Sequence, residues 1–87
     1  MSDRQLVWTD EAWNHYLYWH QQDKKTLKRI NRLINETKTL PFEGVGKPEP
    51  LRRELSGFWS RRIDDCHRLV YAINDNYLTI VSCRYLY

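Results

Sequence analysis

The sequence predicts an α+β fold, with two N-terminal helices packed on an antiparallel β-sheet. Three observations carry this. Helical periodicity is confined to the residues before Pro41. All three prolines and two of the three glycines then fall in one stretch, "PFEGVGKPEP" (41–50). Beyond it come only short apolar runs separated by turn residues, a spacing that favours antiparallel hairpins.

In chain order, "QLVW" (5–8) reads as an opening strand. Thr9 reads as a helix N-cap, and Asp10 and Glu11 suit the positive end of the helix dipole. Trp13, Tyr16, Leu17 and His20 recur at helical spacing, which predicts a first helix over about 10–21. Asp23 caps a second helix over about 23–38, with Leu27, Ile30, Leu33 and Ile34 on its apolar face. Lys24, Lys25, Lys28, Arg29 and Arg32 occupy its other faces, as a solvated surface or as a surface for RNA phosphates. Leu40-Pro41 ends the helical region, because a residue before proline avoids the α conformation.

Residues 41–50 are predicted to be a loop and residues 51–87 antiparallel strands. "LRREL" precedes Ser56-Gly57, "FWSRRI" precedes Asp64-Asp65, "HRLVYAI" precedes "NDN", and "YLTIVSCRYLY" closes the sequence. Alternation puts His67, Leu69, Tyr71 and Ile73 on one face and Arg68, Val70 and Ala72 on the other. One face packs on the helices. The other is expected to be an open floor carrying arginines and aromatics, and alternation alone leaves open which is which.

With 87 residues the chain is expected to be one domain, 1–87. A domain of this size buries only roughly 60–65% of its unfolded surface. The four Trp, six Tyr and two Phe therefore matter to so thin a core. The net charge of +3 favours an anionic partner without requiring one. Cys66 and Cys83 are too far apart for a metal-binding pair by spacing. With no apolar run of membrane-spanning length and no signal-peptide pattern, a reduced, cytoplasmic protein is expected. His15 and His20, at i and i+5, are wrongly spaced to share a metal. No metal and no cofactor are predicted.

The candidate chemistry lies in and after the loop. Lys47, Arg52, Arg53, Arg61, Arg62 and Arg68 supply cations, and an arginine fork grips two phosphate oxygens. Phe58, Trp59, Tyr71, Tyr85 and Tyr87 interleave with them, a combination suited to single-stranded RNA. Glu49 stands between Pro48 and Pro50, which reduce the entropy lost in positioning its carboxylate. It is either a surface ion-pair partner of Arg52 or Arg53, or a general base beside phosphate-binding cations.

The strings "GKPEPL", "LSGFWSRRI" and "HRLVYA", with "VWTDEAWNHYLYWHQQDKK" before them and "CRYLY" after, resemble the YoeB-like toxins of bacterial toxin–antitoxin pairs, within the RelE/ParE superfamily. The resemblance covers nearly the whole chain. It implies a microbial-ribonuclease-like (RelE-type) fold and an mRNA interferase that binds the ribosome and cuts mRNA in the A site without metal. It also implies neutralisation by a YefM-like antitoxin and action as a homodimer. Carried over by position, Glu49 is the general base, Arg68 the phosphate-stabilising cation, and Tyr87 a C-terminal tyrosine that helps form the site. Arg52 and Arg62 match positions that contact the scissile region, the former commonly Lys. Lys47 joins them as a candidate phosphate-binding residue.

One family residue is missing. The family usually ends "RYHY", with His as the general acid, and this chain ends "RYLY", with Leu86 in that slot. Leucine cannot donate a proton. The acid is then Tyr87, a cation such as Arg68, or water; or cleavage is slow; or only ribosome or antitoxin binding survives. His67 is a poor replacement, because alternation puts it opposite Arg68, where a packed structural role suits it better. The ParE branch of the superfamily inhibits gyrase, but the "KPEP" loop and the "RLVY" arginine resemble the nuclease branch.

Overall fold

The computed structural model describes residues 4–85. Strand β1 (Gln5–Trp8) leads into helix α1 (Asp10–Gln22), and helix α2 (Lys24–Thr39) follows after a single residue. Both helix starts are fixed by side chains. Thr9 Oγ1 accepts from Ala12 N at 3.1 Å, and Asp23 Oδ1 accepts from Lys25 N and Thr26 N. These bonds satisfy amides that a helix start leaves unpaired. Hydrogen bonds also hold the Asp23 carboxyl below its ordinary pKa, chiefly those from the Thr26 hydroxyl and amide.

Four more strands complete the sheet: β2 (Glu49–Pro50), β3 (Trp59–Arg62), β4 (Arg68–Ile73) and β5 (Tyr77–Ser82). Their spatial order is β1-β5-β4-β3-β2. The sheet is mixed, where a purely antiparallel one was expected. β2 through β5 pair antiparallel, but β1 runs parallel to β5, with Gln5 opposite Tyr77 and Trp8 opposite Ile80. The reason is directional. The antiparallel pairings from β2 to β5 reverse the chain repeatedly, while the helical hairpin lets β2 start antiparallel to β1.

Two further boundaries differ from expectation. Glu49 and Pro50, read as loop, pair with β3, and "LRREL", read as a strand, instead holds a 3-10 turn at Arg53–Leu55. Arg53 has φ of 60°, a left-handed conformation that breaks a strand.

The core lies between the helices and one sheet face. Ile30, Leu33 and Ile34 of α2 and Ala12 and Trp19 of α1 meet Leu69, Tyr71, Leu78 and Ile80. The Trp19 indole N–H donates to Cys83 O at 2.8 Å, so α1 also holds the chain leaving β5. Burial pushes the Cys83 thiol pKa up to about 12. No helix among the described residues is long and apolar enough to cross a membrane.

Candidate active site

The sheet's two faces separate two arginines that are neighbours in the family-like string "WSRRI". Trp59 and Arg61 point to the helix side: Trp59 packs against the core and Arg61 is fully buried. Ser60 and Arg62 alternate to the other face. The register sets Glu49 opposite Ser60 and Arg68 opposite Arg62, so these four residues share the open face.

On that face the Arg68 guanidinium crosses toward Glu49. Arg68 Nη1 lies 2.6 Å from Glu49 Oε1 and donates to Ser60 Oγ at 3.1 Å. The Arg68 side chain is 18% exposed and that of Glu49 is 56% exposed. Carboxylate and guanidinium are thus in contact, reachable from solvent, and supported from beneath by a buried hydroxyl. A guanidinium offers five N–H donors. Among the described residues both side-chain bonds of Arg68 use Nη1, so the other nitrogens retain capacity for an anion.

Glu49 is placed by the loop before it, and Arg61 holds that loop. Its guanidinium donates to the carbonyls of Leu40, Glu43 and Val45 and lies 3.5 Å from Glu36 Oε1. Tyr71 completes the hub, its hydroxyl donating to Pro41 O at 2.6 Å. Burial pushes the Tyr71 phenol pKa up, so the hydroxyl keeps its proton. The Glu36 carboxylate also accepts from Val45 N at 2.8 Å. Gly44, at φ +110°, passes this carboxylate where a Cβ would collide with it. Arg62 N then donates to Gly46 O at 2.7 Å, joining loop to β3 just before Glu49.

The structure thus brings Glu49, Arg68 and Arg62 onto one face. Lys47 and Arg52 are exposed near Glu49 in the chain, but neither side chain bonds to the Glu49–Arg68 pair. Leu86 and Tyr87 lie outside the described residues. Two aromatics and one arginine of the expected open floor are corrected: Trp59 and Tyr71 pair across strands on the helix side, and Arg61 is a structural cation. His67 turns away from the site. Its ring packs edge-on against Trp19, and its Nδ1 accepts from Tyr85 N at 2.6 Å. Among the described residues, no cluster of three or more His, Cys, Asp or Glu could hold a metal. Sequence reasoning missed Ser60; the signal that could have found it is its alternation with the core-facing Trp59.

Residues 8–87 match the sequence pattern of the YoeB-like toxin of bacterial type II toxin–antitoxin systems. The chain belongs to that family. Toxin YoeB of Escherichia coli K12 is 58% identical over 94% of this chain and 98% of its own length. Toxin YoeB of Streptomyces coelicolor is 55% identical, again over 94% of this chain and 98% of its own. Among solved structures, a YoeB/ParE toxin from Agrobacterium tumefaciens superposes with a TM-score of 0.92 at 42% identity, covering 95% of this chain and 99% of its own. A YoeB dimer and a YoeB–YefM complex, both from Staphylococcus aureus, superpose at 0.90 and 0.87, with 41% and 40% identity. Each covers 99% of this chain and 100% of its own. The fold is therefore that of YoeB-type toxins, two helices on a five-stranded mixed sheet.

Proposed function

We propose that this chain is a ribosome-dependent endoribonuclease toxin that cuts mRNA in the ribosomal A site, without metal. The observation that carries the reading is the 2.6 Å approach of Arg68 to Glu49 on an open sheet face. In the proposed reaction Glu49 takes the proton from a ribose 2′-hydroxyl. The freed oxygen attacks the adjacent phosphorus and forms a 2′,3′-cyclic phosphate, and the bond to the 5′-oxygen breaks. Arg68 stabilises the charge that builds on the phosphoryl oxygens. A proton must reach the departing 5′-oxygen, and Leu86 cannot supply it. Tyr87, Arg68 or water takes that role, at a rate reduced by about 10²-fold or more if none substitutes well. Lys47, Arg52 and Arg62 bind the flanking phosphates. The YoeB–YefM complex and YoeB dimer of Staphylococcus aureus support a YefM-like antitoxin and a second copy as partners.

The test is cleavage of mRNA on programmed ribosomes. The chain should cut inside the A-site codon, Glu49→Ala and Arg68→Ala should each remove most of the cutting, and Leu86→His should raise it. Intact message with all versions would overturn the reading. If the chain binds ribosomes and only Leu86→His cuts, it is a catalytically impaired binder. Inhibition of gyrase supercoiling without any cleavage would instead point to a ParE-like activity.

A further inference from the structure

Ser60 is fully buried, although its side chain lies on the face opposite the helices. Its register partners are Glu49 on one side and Val70 on the other. Arg68 emerges from β4 opposite Arg62, two residues along β3 from Ser60. To reach Glu49 the Arg68 side chain must therefore cross the sheet diagonally over position 60. A serine there does two things. It is small enough to leave the crossing open, and its Oγ accepts from Arg68 Nη1 at 3.1 Å partway across.

We propose that Ser60 is the positioning residue that keeps Arg68 aimed into the site once Glu49 has let go of it. The inference rests on the nuclease reading. In the resting molecule one nitrogen, Nη1, serves both Glu49 and Ser60. A bound phosphate competes with Glu49 for the guanidinium, and Glu49 must leave to act as a base. Among the described residues the Ser60 bond is the side-chain contact of Nη1 that this exchange leaves in place. Without it the guanidinium would be free to rotate just when phosphoryl charge develops, so the loss belongs in the chemical step and not in ribosome binding.

The experiment is single-turnover cleavage on programmed ribosomes, with the rate at saturating toxin and the half-saturating concentration measured separately. Ser60→Ala is expected to slow the saturated rate by about 10-fold, the effect of one hydrogen bond, and to leave half-saturation unchanged. Ser60→Val, which fills the crossing, should slow it further. The decisive arm is a double-mutant cycle. In an Arg68→Lys background Ser60→Ala should cost nothing more, because the group it positions is gone. Ser60→Cys, close in size, repeats the cycle if the alanine variant does not fold. Wild-type rates in Ser60→Ala, or an equal slowing in both backgrounds, would overturn the positioning role. If wild type leaves the message whole, or if Arg68→Ala cuts as wild type does, the nuclease reading itself has failed.

Discussion

Arg61 and Arg68 stand on opposite faces of one small sheet and each meets a glutamate, Glu36 of α2 and Glu49 of β2, yet their surroundings are opposite. Arg61 has no solvent exposure and gives its guanidinium to three main-chain carbonyls, the Tyr71 hydroxyl and Glu36. Arg68 has a carboxylate and a hydroxyl on one nitrogen, and an open side. The first arginine is committed to folding. Among the described residues the second is held but not used up, which is what binding a phosphate from outside requires. The difference teaches that arginine count says little about a nucleic-acid surface until the partners of each guanidinium are known.

Substitutions sharpen the contrast. Arg61→Met should have the largest effect, about 3–5 kcal/mol of stability, because it strands Glu36 and the loop carbonyls without their cation. Urea unfolding measures this, and a loss below about 1 kcal/mol would break the comparison. Arg68→Ala should do the reverse. It should change stability by at most about 1 kcal/mol, as for an exposed ion pair, while cleavage falls about 10²–10³-fold, some 2.7–4 kcal/mol of barrier. Tyr71→Phe should cost about 1–3 kcal/mol in the same unfolding assay, since it leaves the buried Pro41 carbonyl unsatisfied.

The smallest effect is a pH dependence. His15 Nδ1 accepts from Cys83 N at 3.3 Å, tying α1 to the end of β5. Its pKa is lowered, first by burial and further by Arg84, against an opposing pull from Glu11. A depressed folded-state pKa means that the unfolded chain binds the proton more readily. This stability is fully present above the ordinary histidine value, near 6.5, and is lost as pH falls through the lowered one. The urea midpoint should therefore drop between about pH 7 and pH 5, and His15→Asn should flatten the drop.

Much of this was legible in the sequence, and the remainder was hidden for physical reasons. The helix starts could be read because Thr9 and Asp23 are side chains that cap, and both do. The pairing of Glu49 with Arg68 rested on resemblance, since no periodicity links positions so far apart. β2 was hidden by its prolines, which argue for a loop even where two residues pair. The parallel pairing of β1 depends on chain direction around the whole sheet, which no local window contains. Arg61 was readable in principle: it shares strand parity with Trp59, so a core-facing tryptophan predicted a buried arginine. Counting it with the phosphate-binding cations concealed it.

The brevity of β2 has a consequence for how the molecule meets other chains. Positions 48 to 50 read Pro-Glu-Pro, so of these three residues only Glu49 has an amide hydrogen. A foreign strand has little to zip onto there. The border beside the carboxylate is kept from growing outward, and it stays clear for whatever docks through its side chains.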